Sequence, residues 1–204
     1  MRNGRVVAVI GSRCIGTCER YINNHPVGTY QIEADPAHAE WVQRVISAVR
    51  LQNGAFHLEA FEAARGLVFL EIGNRVGGGG VSQATSLAWD ADFQRFELEL
   101  LIGDCGSDLG ALQQRGRYYG WYLFPGHCYA DGQWFAPEGL GHFRSDPRVV
   151  HWYQCEAAER FDAKPDFSLQ ALPFAGIVGA ERSDLARQYI TDLFAALRWQ
   201  PRAR

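Results

Sequence analysis

The sequence predicts an α+β fold, an antiparallel sheet with flanking helices. Three observations carry that expectation. Two pairs of short β-prone segments close around tight turn signals, at Ala63–Gly66 and at Pro125–Gly126. Helical patterns are interspersed among the strands without the strict strand–helix alternation of a doubly wound parallel sheet. The 204 residues are 47% hydrophobic and 13% aromatic, which is enough for a packed core without staples and too apolar for disorder.

Taken in order, Asn3–Gly4 is a turn signal followed by the β-branched stretch Arg5–Ile10, read as a hairpin whose first strand is absent or lies outside the sequence. Residues 11–30 read as loop, with Asn23, Asn24, Pro26 and Gly28 as breakers. Asp35 is placed to cap a helix with Pro36 at its first position, and Ala39, Val42, Val45, Ile46 and Val49 recur at helical spacing up to Asn53–Gly54. Strands follow at Ala55–Phe61 and Leu67–Gly73, then the glycine run Gly77–Gly80, then one helix over Ser82–Ile102 and a break at Gly103–Gly110. The last third predicts a hairpin from Arg117–Phe124 and Cys128–Phe135, a short helix from Asp146–Pro147, a strand at Ala171–Gly179 and a final helix capped by Ser183.

Composition excludes several classes. A net charge of −3 offers no basic excess to neutralise a phosphate backbone, so nucleic acid is not expected as a partner. No apolar run reaches the length of a membrane span, and Val6–Ile10 is shorter than a signal-peptide core with no cleavage pattern behind it. The expectation is a cytoplasmic protein with no membrane partner. Nineteen arginines stand against a single lysine, Lys164, in keeping with a GC-rich genome, and that leaves almost no lysine for a nucleotide phosphate. Five cysteines at irregular spacing, with no CxxC pair, read as reduced thiols. His127 and Cys128 could be drawn into a metal site with His142 and His151, but sequence neighbours on a strand point opposite ways.

Chemistry concentrates in Phe56-His57-Leu58-Glu59-Ala60-Phe61 and Phe69-Leu70-Glu71-Ile72-Gly73-Asn74-Arg75-Val76 with Gly77, Gly78, Gly79 and Gly80. A turn centred on Arg65 sets Glu59 opposite Glu71 on one face, with His57, Phe61, Phe69 and Gly73. Leu58, Ala60, Val68, Leu70 and Ile72 form the other face, the natural core side. Two opposed carboxylates repel. A divalent cation offsets this directly, Mg²⁺ being suited to hard oxygen ligands. A shared proton or Arg75 does so too, and solvated glutamates on an ordinary surface hairpin need no such help. Arg75, two residues past the strand end, can clamp phosphate or carboxylate oxygens. The four glycines are either a flexible linker or a nest of bare N–H groups for an anion at a helix start.

The segment FHLEAF…GLVFLEIGNRVGGGG resembles the metal-binding hairpin of the ATP-grasp superfamily, in particular its carboxylate–amine ligases. The resemblance is most specific over Ala55–Gly80 and extends loosely to both sides. It implies ATP-dependent ligation of a carboxylate to an amine or a thiol through an acyl phosphate. It implies Mg²⁺, with Mn²⁺ as an alternative, on Glu59 and Glu71, and Arg75 steadying the transferred phosphoryl group. ATP would be bound by Glu59, Glu71, Phe61 and Leu70, the last two lining the adenine pocket, and Gly77, Gly78, Gly79 and Gly80 would form the substrate or phosphate loop. Many members carry a ligand asparagine two residues after the second carboxylate; that position is Gly73 here, and Asn74 falls one place late.

The resemblance places residues 1–110 in the second lobe of the ATP-grasp fold and 111–204 in a carboxy-terminal α+β lobe packed on it. The family's first lobe, with its phosphate-binding lysines, precedes the point where this sequence starts, and Lys164 does not match them. The expected partners are small carboxylate and amine substrates, with either a chain supplying the first lobe or a homodimer. A non-catalytic remnant serving as a binding module is the alternative.

Overall fold

The computed structural model describes residues 1–33, 35–102, 115–129, 139–155 and 161–197. The chain forms two compact units, Met1–Gly11 with Glu33–Arg115, and Ser12–Ile32 with Gly116–Arg204. A straight division at 110/111 would leave 12–32 in the first unit. That segment instead contributes two strands to the sheet of the second.

In the first unit, helix α2 (Pro36–Val49) starts as its sequence dictates: the Asp35 carboxylate accepts from Ala37 N–H at 2.8 Å, and Pro36 needs no donor of its own. It ends at Arg50, in the left-handed region at φ 58°. Val42 and Ile46 bury against Met1, with Val6, Val9, Phe56 and Ile72 around them. Residues 5–10 are not a strand. The Gln43 carboxamide of α2 takes the Val6 N–H at 2.8 Å and donates to the Gly4 carbonyl at 2.9 Å, so a side chain satisfies this backbone where a ladder was expected.

Strands β3 (His57–Ala63) and β4 (Gly66–Gly73) form a two-stranded sheet. The helix expected over 82–102 is two helices, α3 (Gly80–Trp89) and α4 (Phe93–Ile102). Asp90 ends the first in the left-handed region, and the Asp92 carboxylate begins the second by accepting from Gln94 and Arg95 N–H groups.

The second unit is built on a five-stranded sheet in the order β1 (Ser12–Ile15), β2 (Val27–Gln31), β5 (Tyr118–Phe124), β7 (Phe174–Ala180) and β6 (Val149–Gln154). Every pairing is antiparallel. Helix α6 (Ser183–Ala196) lies on the sheet, burying Tyr189, Ile190 and Leu193 with Tyr122, Phe124, Phe174 and Val178. Gly28 and Gly120 let it approach: a Cβ would stand 3.2 Å from Ile190 Cγ2 at the first position and 2.7 Å from Ile190 Cδ1 at the second.

Three local expectations change in this unit. Residues 11–30 hold β1, the short helix α1 (Cys18–Ile22) and β2, elements too brief for a periodic pattern to show. Residues 127–129 form a 3₁₀ turn in place of a strand start; the rest of the expected strand, 130–135, lies outside the described residues. The short helix α5 (Leu140–Arg144) precedes Asp146, whose carboxylate accepts from Arg148 N–H and so turns the chain into β6. No disulfide joins Cys14, Cys18, Cys128 or Cys155. Among the described residues no helix is long and apolar enough to cross a membrane.

Candidate functional site

Glu59 and Glu71 are Cα partners across the β3–β4 hairpin, as the sequence register predicts, and so share a face. Towards the turn the register differs. The loop is two residues long, with Ala63 opposite Gly66, where a turn centred on Arg65 would be one longer. A bulge in β4 absorbs the difference, because Leu70 has no partner between Glu71 (opposite Glu59) and Phe69 (opposite Ala60). The acidic pair therefore keeps its register while Phe61 faces Val68. By alternation Phe69 leaves the glutamate face, a correction to the expected face assignment.

The expected core side of the hairpin is also only partly a core. Ile72 packs in the first unit's core, whereas Val68 and Leu70 are exposed. With Phe61 at 57% and Phe69 at 44% exposure, the outer half of the hairpin presents apolar side chains to solvent on both faces. Phe61 and Leu70 are thus open surface groups beside the acidic pair.

His57 begins β3 on the glutamate face, opposite Gly73, with Nε2 4.0 Å from Glu59 Oε1. Its ring also lies against the glycine run: a Cβ on Gly77 would sit 3.3 Å from His57 Cδ2 and 2.8 Å from Val81 Cβ. Only glycine lets the chain pass between the end of β4 and the first turn of α3. Gly79, at φ 58°, is the N-cap residue of α3 and supplies no side-chain cap. The first N–H groups of α3 are therefore not capped by a side chain, the arrangement that favours an anion.

Arg75 folds over this corner. Its Nη1 donates to the Val76 carbonyl at 2.9 Å, and its side chain covers Gly73, where a Cβ would sit 3.5 Å from both Cγ and Nε. The Val76 N–H donates to Glu97 Oε1 of α4 at 3.1 Å. Sequence reasoning did not single out Glu97; nothing in the amphipathic pattern of α4 distinguishes it from Glu99. The Asn74 carboxamide oxygen lies against Gly54, 3.3 Å from where a Cβ there would stand.

The structure thus brings Glu59, Glu71, Arg75 and Gly77–Gly80 into one contiguous stretch of the first unit, with His57 and Glu97 added. Carboxylates on two Cα-paired residues offer hard oxygen donors, and the guanidinium and bare N–H groups offer partners for anionic oxygens. Among the described residues no group of three or more His, Cys, Asp or Glu side chains could hold a metal ion. A cation here would take two protein carboxylates and complete its shell with water or ligand oxygens, which suits Mg²⁺.

No protein-family model matches the sequence, and no curated protein matches it significantly. Solved structures do. An L-amino acid ligase from Bacillus licheniformis superposes with a TM-score of 0.61 at 16% identity, over 83% of this chain and 44% of that one. A phosphoribosylglycinamide synthetase from Anaerococcus prevotii gives 0.58 at 14% identity, over 85% of this chain and 44% of that one. The ATPase subunit of phosphoribosylaminoimidazole carboxylase from Aquifex aeolicus gives 0.53 at 17% identity, over 82% and 48%. The chain shares the fold of part of these enzymes and spans less than half the length of each.

Proposed function

We propose that this chain is the metal- and phosphate-binding portion of an ATP-dependent ligase that joins a carboxylate to an amine or thiol through an acyl phosphate. The observation that supports this most is the direct pairing of Glu59 with Glu71 on a strand that runs into Arg75 and the glycine loop at the start of α3. The fold likeness to an L-amino acid ligase supports the same class.

In this reading Glu59 and Glu71 hold Mg²⁺ or Mn²⁺, which when bound neutralises charge on the ATP phosphates. Arg75 exchanges its bond to the Val76 carbonyl for oxygens of the transferring phosphoryl group, where a fixed cation stabilises the charge spread over them. The N–H groups of Gly77–Gly80 receive the acyl carboxylate or its phosphate. Phe61 and Leu70 give the adenine an apolar contact. No side-chain nucleophile is needed, since positioning and electrostatics carry phosphoryl transfer.

The same face also fits a second reading, a non-catalytic module that binds a nucleotide or a partner. The single lysine, Lys164, favours it.

Thermal unfolding with and without Mg²⁺ and ATP tests the site. Mg²⁺ should stabilise the wild type and leave Glu71→Gln unmoved. ATP should bind this chain with a Kd of about 1 mM or weaker, a pocket with one open wall. An equal Mg²⁺ response in both proteins overturns the metal assignment, and micromolar ATP binding by this chain overturns the open wall. ADP release with a carboxylate and hydroxylamine selects the ligase over the module.

A further inference from the structure

The second unit holds a cleft of about 320 Å³ that the ligase reading does not use. Its walls are the end of β1, the α1–β2 connection and the last turns of α6.

The α1–β2 connection has a defined build. Tyr21 is fully buried, and its hydroxyl donates to the Asp166 carbonyl at 2.5 Å, which fixes α1 to the body of the unit. The helix ends with Asn24 in the left-handed region at φ 66°. Asn24 N–H donates to the Tyr21 carbonyl at 3.0 Å and His25 N–H to the Arg20 carbonyl at 2.9 Å. This pair of bonds is a Schellman motif, and it folds His25 back beside Arg20. Gly16, at φ 86°, packs tightly on the other side, since a Cβ there would meet the Pro26 carbonyl and Val27 at 3.2 Å. Arg20 and His25 therefore stand on a backbone that is bonded in place.

The remaining walls are apolar: Ile15, Pro26 and the Phe194 ring, which is braced edge-on against Phe124. Thr191, also on the wall, has its hydroxyl committed to the Arg187 carbonyl at 2.9 Å. Among the described residues none of the lining side chains is acidic. A guanidinium and an imidazole N–H donor against an aromatic and aliphatic wall recognise an anionic head on a compact apolar body.

We propose that this cleft binds a small organic anion, a carboxylate or phosphate monoester whose apolar part lies on Phe194, Pro26 and Ile15 while Arg20 and His25 hold its oxygens. The site lies in the second unit and does not depend on the chemistry of Glu59 and Glu71.

The test is an NMR titration of the whole chain, read at the His25 ring and at the backbone amides of Arg20 and Phe194. The probes are benzoate and phenyl phosphate, with inorganic phosphate and benzyl alcohol as half-ligands. Saturable shifts with benzoate or phenyl phosphate, at a Kd of about 1 mM, are expected. Each half-ligand should bind at least tenfold more weakly. The stronger of the two aromatic probes decides between carboxylate and phosphate. Arg20→Gln should weaken binding at least tenfold, whereas Arg44→Gln, the same charge loss on exposed α2, should leave it unchanged. Arg20 is exposed, so its variant should fold, which the dispersion of the same spectra reports. Linear, unsaturable shifts overturn the proposal, as does equal affinity in Arg20→Gln or equal weakening by Arg44→Gln.

Discussion

The Glu97 carboxylate of α4 accepts the backbone N–H of Val76 at 3.1 Å, between Arg75 and Gly77. Arg75 takes the carbonyl of the same residue. Both polar groups of one peptide segment at the exit of β4 are thus held by side chains, and the chain enters the glycine loop from a fixed point.

That relationship predicts a graded response at position 97. Glu97→Gln keeps an acceptor and should cost little. Glu97→Ala leaves a part-buried N–H without its partner and should destabilise the chain by about 1 kcal/mol. Hydrogen exchange at Val76 should quicken in the alanine variant and stay near the wild-type rate in the glutamine variant. Unchanged exchange in Glu97→Ala would show that the bond does not hold the loop.

Gly28 predicts a larger effect in the second unit. A Cβ there would stand 2.6 Å from the Trp121 carbonyl oxygen and 3.2 Å from Ile190 Cγ2. The first contact is backbone in the paired strand β5 and cannot swing aside. Gly28→Ala should cost about 2–3 kcal/mol in urea unfolding, as over-packing of a tight core does. Gly141→Ala, at an exposed position of α5 with open space around the new methyl, serves as the control and should be close to neutral.

The Asp146–Arg148 pair predicts a pH dependence. Arg148 donates Nε and Nη2 to the two oxygens of Asp146, at 2.8 and 2.7 Å. Those bonds, more than any other influence, hold the Asp146 carboxyl below the usual carboxylate range. A carboxyl depressed in the folded state stabilises it at pH values above the unfolded pKa, near 3.9, and loses that contribution as pH falls through the folded value. Wild type should therefore exceed Asp146→Asn by about 1 kcal/mol at a constant margin from pH 5 to 8. The margin should shrink below about pH 4. A margin that grows on acidification would contradict the pairing.

The acidic pair and its surroundings were legible in the sequence for local reasons. A strand alternates with period two, so a hairpin of known turn position fixes which side chains meet, and Glu59 and Glu71 follow from counting. Glycines in a run and an arginine at a strand end declare their chemistry without a fold around them. Asp35 and Pro36 likewise start a helix by bonds within three residues of one another. The counting failed where the turn proved one residue shorter. The bulge that restored the register at Glu71 also moved Phe69 to the other face, and no local pattern announces a bulge.

By itself, then, the sequence determined the α+β class, the α2 start and the composition of the hairpin, because each depends on bonds between near neighbours. Tertiary structure alone decided the rest. Residues 12–32 are strand and helix because β5 offers β2 an edge to pair with and Tyr21 a core to enter, and neither partner is near in sequence. Residues 5–10 are not a strand, and Gln43, more than thirty residues away, bonds the Val6 N–H and the Gly4 carbonyl beside it. Glu97 of α4 reaches Val76, at the exit of β4, through the placement of whole elements. Such placements follow from the burial of Ile46, Tyr21 and Ile190, a sum over the folded chain that no window of sequence contains.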